Sequence, residues 1–461
     1  MRLTGQEVAA ASRGVWLSMT VPAAITGIGT DSRNFVAGDA FLALRGVAFD
    51  GHQHAAMVAL KASALIGDVQ GSKQWGNLSH TPQLQVNDTL QALGDIAACH
   101  RNKLQKTQVV AITGSYGKTT VRSMLAHILE ALGLEVASTK ENFNNLIGVP
   151  KTLLAVKPSA DVALIECGIS ELGEMERLSE VVQPDVAIIT GLTHAHGEGL
   201  GDFKDIVCEK AKLMKHLLPQ GWCLFGVGVA GHFAEASCEV AQTTYHMEDT
   251  DAVSWSLDKK RVRLSLANEV YDFDLLLPAK HWAEDMALAA TAALKLAGHL
   301  NKKWLLKDVA EALATWKAVE GRMRVYPVSP EQNYTLIDDS YNANPASMQA
   351  ALDTLAALDG YKIAIIGDML ELGEKSVSMH AQLNLQGIDE VIAIGTMMKV
   401  LQEKQMNEKI RYFENIKAFQ LWLSHQDNFP TSNSTLLIKS SHGMGLHVLA
   451  EQLVHRVKHV I

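Results

Sequence analysis

From residue 108 onwards, short apolar runs alternate with longer stretches in which apolar residues recur every three or four positions. The runs 108–112, 161–166, 186–190 and 222–225 predict buried strands, whereas the apolar spacing over 124–132 predicts an amphipathic helix. Strands that alternate with helices in this way are typical of a parallel sheet, which binds its ligands at the carboxyl ends of the strands. The pattern therefore predicts a central domain built on a parallel sheet.

Two other segments have different patterns. Residues up to about 84 contain short strand-like runs at 39–44 and 64–66, separated by turns rich in Gly and Asp, and a helix is predicted over 88–104. These features predict a small N-terminal α/β block. Between 254 and 277 polar and apolar residues alternate, which predicts an antiparallel appendage to the central sheet.

A third block begins near Arg322, where four further apolar runs are separated by amphipathic helices. The runs are 335–339, 362–367, 391–395 and 435–439. They predict a second doubly wound domain, which has no glycine-rich phosphate fingerprint of its own. We therefore predict an α/β chain of three domains: a small N-terminal α/β domain over 1–86, a central P-loop ATPase-like parallel sheet over 87–320, and a C-terminal Rossmann-like domain over 321–461.

Composition limits the possible functions. The 461 residues are 48% hydrophobic and 20% charged, and no run of about 18 apolar residues predicts a membrane span. The N-terminus has no secretory signal pattern, which favours the cytoplasm, and five scattered cysteines without CxxC spacing are expected to be reduced. Because the net charge is -9 and the chain has no basic run, nucleic acid is not expected as a partner. We also expect the protein to be a monomer.

The segment GSYGKTT at 114–120 lies between the first predicted strand and the first predicted helix of the central domain. Backbone N–H groups of such a turn converge on phosphate oxygens, Lys118 can reach the β- and γ-phosphates, and Thr119 can ligate Mg²⁺. Only two residues separate Gly114 from Gly117, and a structural glycine turn beside an incidental lysine is the alternative. The residues predicted to bind nucleotide are Gly114, Ser115, Gly117, Lys118, Thr119 and Thr120.

Several polar residues stand at or after predicted strand ends. Glu166 closes the strand 161–166, where it is either a Mg²⁺ ligand or a solvated acid. His194 and His196 follow the next strand, and either one can be a ligand or simply exposed. On its own pattern Lys212 is an ordinary helix lysine.

Two motifs in the third block also place polar residues at the ends of predicted strands. The segment DDSYNANP at 338–345 places two acids and two amides after a buried strand, and GDMLELGE at 367–374 follows the next one. Binding of hydroxyl groups or a base is the natural use of such strand ends, although helix capping alone explains Asn344 and Pro345. Polar strand ends that point in one direction imply one cleft.

Together these residues resemble the Mur ligase family over nearly the whole chain. The short GxxGKTT loop is shared with that family and with folylpolyglutamate synthases. Two longer segments discriminate best: DDSYNANPASM at 338–348 and GDMLELGE at 367–374. Further similar segments are TDSR at 30–33, FDGH at 49–52, NFNNLIGVP at 142–150 and ECG at 166–168.

The resemblance implies an ATP-dependent amide-bond ligase that acts through an acyl phosphate. Its segments are especially similar to the family member that adds D-Ala-D-Ala to UDP-MurNAc-tripeptide, a step of peptidoglycan precursor synthesis that supports cell shape and division. The N-terminal domain would bind the uridine nucleotide, and the other two domains would bind ATP and two Mg²⁺ ions between them. A nucleotide-sugar peptide and a dipeptide are thus the implied substrates.

Individual roles also follow from the resemblance. Glu166 and His196 would hold metal together with Thr119, Lys212 would carry a carbamate that supports a Mg²⁺, and Arg322 would contact the γ-phosphate. Catalysis would thus depend on Lys118, Glu166, His196, Lys212 and Arg322. The remaining nucleotide contacts would be Asn145, His281, Asp285, Asp339 and Asn344, and the substrate contacts Ser32, Arg33, Gly51, His52 and Asn144.

Three motifs depart from the family pattern, with Trp282, Asp285 and His442 among the changed residues. The family sequence HNxxN is His281 to Asp285 here, so that an aspartate replaces the asparagine expected at the adenine edge. The family sequence KGSR is Lys439 to His442 here, and an asparagine expected shortly before the central histidine is missing. A family member that joins a different acid and amine is therefore an alternative, and a nucleotide-binding regulator without turnover is another.

Overall fold

The N-terminal part is a five-stranded sheet with helices packed against it. In this computed structural model the strand order is β1-β5-β4-β3-β2, in which only β1 runs antiparallel to its neighbour. The elements are α1 Gly5–Ser12, β1 Val15–Trp16, β2 Ile28–Gly29, β3 Ala40–Leu42, α2 Ala55–Val58, β4 Ala64–Asp68, β5 Gln83–Val86 and α3 Thr89–Arg101. The structure describes residues 1–46, 49–78, 80–193, 197–241, 243–327, 334–405, 409–426, 429–430 and 433–458.

The central part is a six-stranded sheet of order β11-β10-β9-β6-β8-β7, and all of its strand pairs are parallel. The parallel sheet predicted from the alternating pattern is confirmed. Its elements are β6 Gln108–Thr113, α4 Lys118–Ala131, β7 Val136–Ser138, α5 Gly148–Ala155, β8 Val162–Glu166, α6 Glu174–Val182, β9 Val186–Ile189, α7 Gly197–Leu200, α8 Phe203–Ala211, β10 Trp222–Phe225, α9 Val229–Ala236 and β11 Thr244–His246.

The alternating segment after β11 forms a sheet of its own. Its strands β12 Ser254–Asp258, β13 Arg261–Leu266 and β14 Glu269–Asp274 are antiparallel to one another and make a separate three-stranded sheet. The prediction that this segment extends the central sheet is therefore wrong, although its antiparallel pairing is correct. Val262 and Leu264 point to one face, as period-2 alternation requires, and help to bury α10 Lys280–His299 and α11 Leu306–Ala314.

The C-terminal part is a six-stranded sheet of order β15-β16-β20-β17-β18-β19, with only β15 antiparallel. Four of these strands were predicted, whereas β15 and β19, at the two edges, were not. The elements are β15 Arg324–Pro327, β16 Tyr334–Asp339, α12 Pro345–Ala356, β17 Tyr361–Gly367, α13 Ser376–Ala381, β18 Glu390–Ile394, α14 Lys399–Gln405, β19 Ile410–Phe413, α15 Ile416–Leu423, β20 Ser434–Lys439 and α16 Leu446–Lys458.

Two buried apolar clusters join the three parts. One contains side chains of the N-terminal sheet together with those on one face of the central sheet, such as Leu42 and Val109. The other contains side chains from the opposite face and from the C-terminal part, such as Ile112 and Met348. The N-terminal part is therefore joined to one face of the central sheet and the C-terminal part to the opposite face. The division at 86/87 and 320/321 is compatible with these sheets and stays a prediction.

Two expectations from composition can be compared with the structure. The five cysteines are all free thiols. Among the described helices, none is long and apolar enough to cross a bilayer.

Candidate active site

The glycine loop connects β6 to α4 as the sequence predicted. Gly114 has φ +155° and a Cβ at this position would lie 2.1 Å from the Thr190 hydroxyl oxygen, so that a larger residue is excluded by the neighbouring strand end. Gly117 has φ +79° and immediately precedes the first residue of α4. Lys118 folds back over the loop and donates to the Gly114 carbonyl at 2.7 Å. The loop thus has the strand–turn–helix geometry of a phosphate site.

Glu166, at the end of β8, lies beneath this loop and is 2% exposed. Its carboxylate accepts from the Thr119 hydroxyl at 3.0 Å, from the Arg122 Nε at 3.2 Å and from the Asn144 amide at 3.0 Å. Burial raises the pKa of Glu166, but the charges of Lys118 and Arg122 outweigh that effect, and the pKa is lowered overall. Glu166 is therefore held ionised and oriented toward Thr119.

Arg122 is the partner that sequence reasoning missed. Its guanidinium also donates to the Ser138 hydroxyl at 2.8 Å and to the Thr139 carbonyl, both at the end of β7. The signal was present in the sequence, because Arg122 follows Lys118 by four residues and so lies on the same face of α4.

A cavity of about 470 Å³ opens above the loop. One side is formed by the loop and the start of α10, and the other by strand ends of the C-terminal sheet. The predicted nucleotide residues Ser115, Gly117, Lys118, Thr119, Thr120, His281, Asp285, Arg322, Asp339 and Asn344 all line it. Gly114 lies just behind it, in contact with Thr190.

Arg322 reaches the cavity from the junction between the two domains. Its guanidinium lies 4.2 Å from the ring centroid of Tyr341, and its buried Nε has no hydrogen-bond partner among the described residues. The junction itself is fixed by strand-end acids, because Asp338 accepts from the Gly321 N–H and Asp339 from the Met323 N–H, each at 3.1 Å. The strand end thereby aims Arg322 at the phosphate loop.

Asp339 has a second partner that the sequence analysis did not assign. The buried Lys439 donates to its carboxylate at 2.6 Å and to the Asn342 carbonyl at 3.0 Å. Asn344 likewise has two tasks: its oxygen accepts from the Ser347 N–H and caps α12, while its amide donates to the Ser115 carbonyl at 3.1 Å. Asp339 and Asn344 therefore line the cavity and also hold its walls together.

Comparison with known proteins places the chain in a family. Models of the Mur ligase family catalytic domain, the Mur ligase middle domain, and the Mur ligase glutamate ligase domain match residues 24–101, 112–293 and 321–441. The UDP-N-acetylmuramoyl-tripeptide–D-alanyl-D-alanine ligase of Haemophilus influenzae is 34% identical over 388 residues, which cover 82% of each chain. The chain belongs to the Mur ligase family.

Two further relatives agree with this assignment. The ligase of the same name from Escherichia coli is 32% identical over 383 residues, covering 79% of this Mur ligase and 80% of the relative. A crystal structure of MurF from Acinetobacter baumannii superposes with a TM-score of 0.84 at 29% identity and covers 99% of both chains. The three-part α/β fold is thus confirmed as the Mur ligase fold.

At the departures from the family pattern, this Mur ligase has a changed electrostatic environment. Burial raises the pKa of Asp285 well above its ordinary value, and the charge of Glu284 adds to the effect. Burial, with a smaller contribution from Lys439, lowers the pKa of His281 to about 4. Both side chains therefore favour their neutral forms beside the loop.

The lysine assignment depends on which face of α8 points inward. Lys212, just past the end of α8, donates to Glu209 at 2.6 Å, and its side chain is 36% exposed. Lys210 is instead 1% exposed and close enough to Lys118 for that charge to contribute to its depressed pKa, of which burial is the main cause. Sequence reasoning missed Lys210, although the repeated lysines of EKAK offered both choices.

The described residues offer only part of a metal site. Thr119 and Glu166 supply hard oxygen ligands of the kind that Mg²⁺ prefers. Within the described ranges no three His, Cys, Asp or Glu side chains form a metal-ligating cluster. His194 and His196 lie outside the described residues, so that the role implied for His196 stays a prediction.

The residues implied to bind substrate do not share one environment. Arg33 pairs with Asp31 on the surface, beside Ser32. His52 is fully enclosed: its Nδ1 contacts Asp50 at 2.6 Å and its Nε2 accepts from the Asp68 N–H at 3.0 Å. Both ring nitrogens of His52 are therefore engaged in hydrogen bonds within the domain. The neighbouring Gly51 is closely packed, because a Cβ at this position would lie 2.8 Å from the Leu44 carbonyl oxygen.

Two amides of the central domain also have defined partners. Asn145 accepts from the N–H groups of Ile147 and Gly148, which shapes the turn before α5. Asn144 orients Glu166, and neither of the two amides is among the residues that line the cavity.

Proposed function

We propose that this Mur ligase joins D-Ala-D-Ala to UDP-MurNAc-tripeptide at the expense of ATP, in the cytoplasm. The names of its relatives give the two substrates. The structural observation that carries the proposal is the cavity in which Lys118 and Arg322 converge from two domains on the glycine loop. Two cations beside a phosphate loop fit transfer of the γ-phosphoryl group, whose developing negative charge they would stabilise.

The chemistry needs two balanced steps. The peptide carboxylate attacks the γ-phosphorus of ATP, which forms an acyl phosphate and releases ADP. The free amine of the dipeptide then attacks the acyl carbon, and the collapse of the tetrahedral adduct releases inorganic phosphate and one proton. Activation by phosphoryl transfer is required because direct condensation of a carboxylate with an amine in water is unfavourable.

The residues of the chain would position these groups. Backbone N–H groups of the loop and Lys118 would hold the phosphates, while Arg322, supported by the Tyr341 ring, would neutralise the transferred group. Mg²⁺, bound through Thr119 and Glu166, would screen the charge between the carboxylate and the phosphates. His196 would complete that ligand set according to the family pattern.

A carbamate is better supported at Lys210 than at Lys212. Carbamate formation consumes a neutral amine and CO₂, and burial disfavours the charged ammonium of Lys210. Lys212 instead donates to the buried Glu209, and its own side chain is 36% exposed. A carbamate on Lys210 would carry an anionic oxygen donor on the same side of α8 as Lys118.

A different acid or amine substrate is the second candidate, and a specific observation favours it. Asp285 and His442 replace an amide and a guanidinium of the family pattern, and the ring of His442 lies beside that of Tyr341, tilted by 46° with centroids 5.6 Å apart. Since Tyr341 also contacts Arg322, the change lies next to the cation that would neutralise the transferred phosphate.

Phosphate release with purified protein tests these proposals. We expect release only when ATP, UDP-MurNAc-tripeptide and D-Ala-D-Ala are all present, with the ligated peptide detected by mass spectrometry. Omission of either substrate is the control. Turnover with another acid or amine, but not with this pair, would support the second candidate, and nucleotide binding without turnover for any pair would support a regulator.

A further inference from the structure

The loop between β17 and the Gly373–Lys375 turn forms part of the cavity wall, through Leu370, Glu371 and Leu372. Its backbone is strained, because Glu371 has φ +65°, a conformation that non-glycine residues rarely adopt. Such a conformation persists only where surrounding contacts fix it. The contacts that fix this loop therefore determine the shape of the cavity.

His380 on α13 makes one of those contacts. Its ring is fully buried, its Nε2 accepts from the Met369 N–H at 2.9 Å and its Nδ1 lies 2.7 Å from the Ser376 carbonyl. A carbonyl can only accept and an N–H can only donate, so the neutral tautomer with hydrogen on Nδ1 is required. His380 thus couples α13 to the residue that precedes the cavity-lining segment.

Two other bonds hold the same loop from the opposite side. The Leu370 N–H donates to the Ser441 hydroxyl at 2.9 Å, and the Asp368 carbonyl accepts from the Ser441 N–H at 3.1 Å. The Asp368 carboxylate in turn accepts from the Met398 N–H at 2.9 Å. The consecutive N–H groups of Met369 and Leu370 are therefore bound by two different parts of the domain, His380 on α13 and Ser441 after β20.

We propose that His380 is a positioning residue for nucleotide binding, which acts by holding the 369–372 loop in its strained, cavity-lining conformation. The proposal rests on the proposed function only in that a nucleotide occupies the cavity. His380 does not itself line the cavity, so its effect must pass through the Met369 N–H. Loss of that acceptor leaves a buried N–H unpaired and allows Glu371 to relax.

Two substitutions distinguish the roles of the two ring nitrogens of His380. His380→Gln places an amide oxygen near the Nε2 position and keeps an acceptor for Met369, whereas His380→Asn keeps a donor for the Ser376 carbonyl and loses that acceptor. We expect His380→Asn to raise the KM for ATP and the dissociation constant of Mg·ADP about tenfold, a change of about 1.4 kcal/mol. The kcat should change less than threefold, and His380→Gln should stay within threefold of wild type in every constant.

The matched control is His100→Asn. His100 is equally buried and contacts the Val156 carbonyl through Nε2 at 2.9 Å, but it lies in α3, away from the cavity. It should lower the melting temperature without changing the Mg·ADP affinity. The proposal is overturned if His380→Asn binds Mg·ADP as wild type does, or if His100→Asn weakens binding equally. If His380→Asn does not fold, Ser441→Ala provides the test instead. This variant removes the hydroxyl that accepts from the Leu370 N–H, and it should weaken Mg·ADP binding severalfold.

Calorimetric binding of Mg·ADP needs neither the acid nor the amine substrate. A protein that binds Mg·ADP but does not ligate UDP-MurNAc-tripeptide would therefore refute the proposed function while still testing His380.

Discussion

The side-chain amide of Asn344 donates a hydrogen bond to the main-chain carbonyl of Ser115 at 3.1 Å, which ties the C-terminal domain directly to the phosphate loop. The same side chain caps α12 through its oxygen. One amide therefore couples the start of a helix in one domain to the conformation of the loop in another. Lys118 and Arg322 also come from different domains, so this contact spans the same cavity that the two cations line.

Asn344→Ser is expected to loosen the domains without weakening α12. Serine still caps a helix but is too short to reach Ser115, whereas Asn344→Ala loses the cap as well and should cost about 1 kcal/mol more of unfolding free energy. Small-angle scattering should show a larger radius of gyration for both variants, and their KM for ATP should rise. If both variants have the radius of gyration and the KM for ATP of the wild type, the hydrogen bond between Asn344 and Ser115 does not hold the two domains together.

Lys118→Ala is expected to slow ATP turnover about a hundredfold while the fold remains intact. Loss of one charge contact to the transferred phosphoryl group should cost roughly 3 kcal/mol, about a hundredfold in rate. Single-turnover phosphate release measures the effect, and circular dichroism checks the fold. Lys140→Ala, which removes an exposed lysine of the same domain, is the control and should turn over normally. Parent activity in Lys118→Ala would mean that the loop does not bind the reacting phosphates.

The chain pattern was sufficient to predict the four inner strands of the central sheet and the chemistry at their ends, but not its edge strands β7 and β11. Glu166 and Asp339 could be found because an acid at the end of an apolar run has no role in a core. The edge strand β19 was not predicted, since its sequence Ile410–Phe413 is short and is interrupted by Arg411. The separate sheet after β11 was also missed, because alternation predicts antiparallel pairing but does not say which strands pair.

The lysine of α8 shows a second limit of sequence reasoning. Positions 210 and 212 differ by about 200° around a helix, so only one of them can face the phosphate loop. Which one does so is decided by how α8 packs against α6 and α9, which no local pattern records. The role of His380 was hidden for the same reason, because its partner Met369 belongs to another element.

Lys210→Ala and Lys212→Ala should differ in their effects on activity. If Lys210 carries the carbamate, its alanine variant should lose more than a hundredfold in rate, about 3 kcal/mol, and acetate should restore part of the activity by supplying an oxygen ligand. Lys212→Ala should stay within a few fold of wild type. With ¹³C-bicarbonate, a carbamate carbon signal should appear in wild type and Lys212→Ala only. The reverse pattern would return the carbamate to Lys212.

Arg122→Gln is expected to destabilise the protein by roughly 3 kcal/mol, because it removes the guanidinium that is hydrogen-bonded to the buried Glu166 carboxylate. Adding Glu166→Gln should recover part of that loss, since two neutral amides can coexist there. Denaturant unfolding of the two single variants and the double variant gives the coupling energy of the pair. Strictly additive effects would show that Arg122 acts only through Ser138 and Thr139.

The last prediction concerns the pH dependence of stability. The pKa of His281 is lowered from 6.5 to about 4 in the folded chain, chiefly by burial, so the unfolded chain binds the extra proton first as the pH falls. The contribution of His281 to stability is therefore fully present above pH 6.5 and is lost as the pH falls toward 4, by about 1 to 3 kcal/mol. His281→Gln should flatten this part of the curve of unfolding free energy against pH, whereas His54→Gln, at an exposed position, should leave it unchanged. If the unfolding free energy of wild type and His281→Gln has the same slope against pH between 4 and 6.5, the imidazole is protonated in the folded cavity. That result would contradict a neutral His281 beside the phosphate loop.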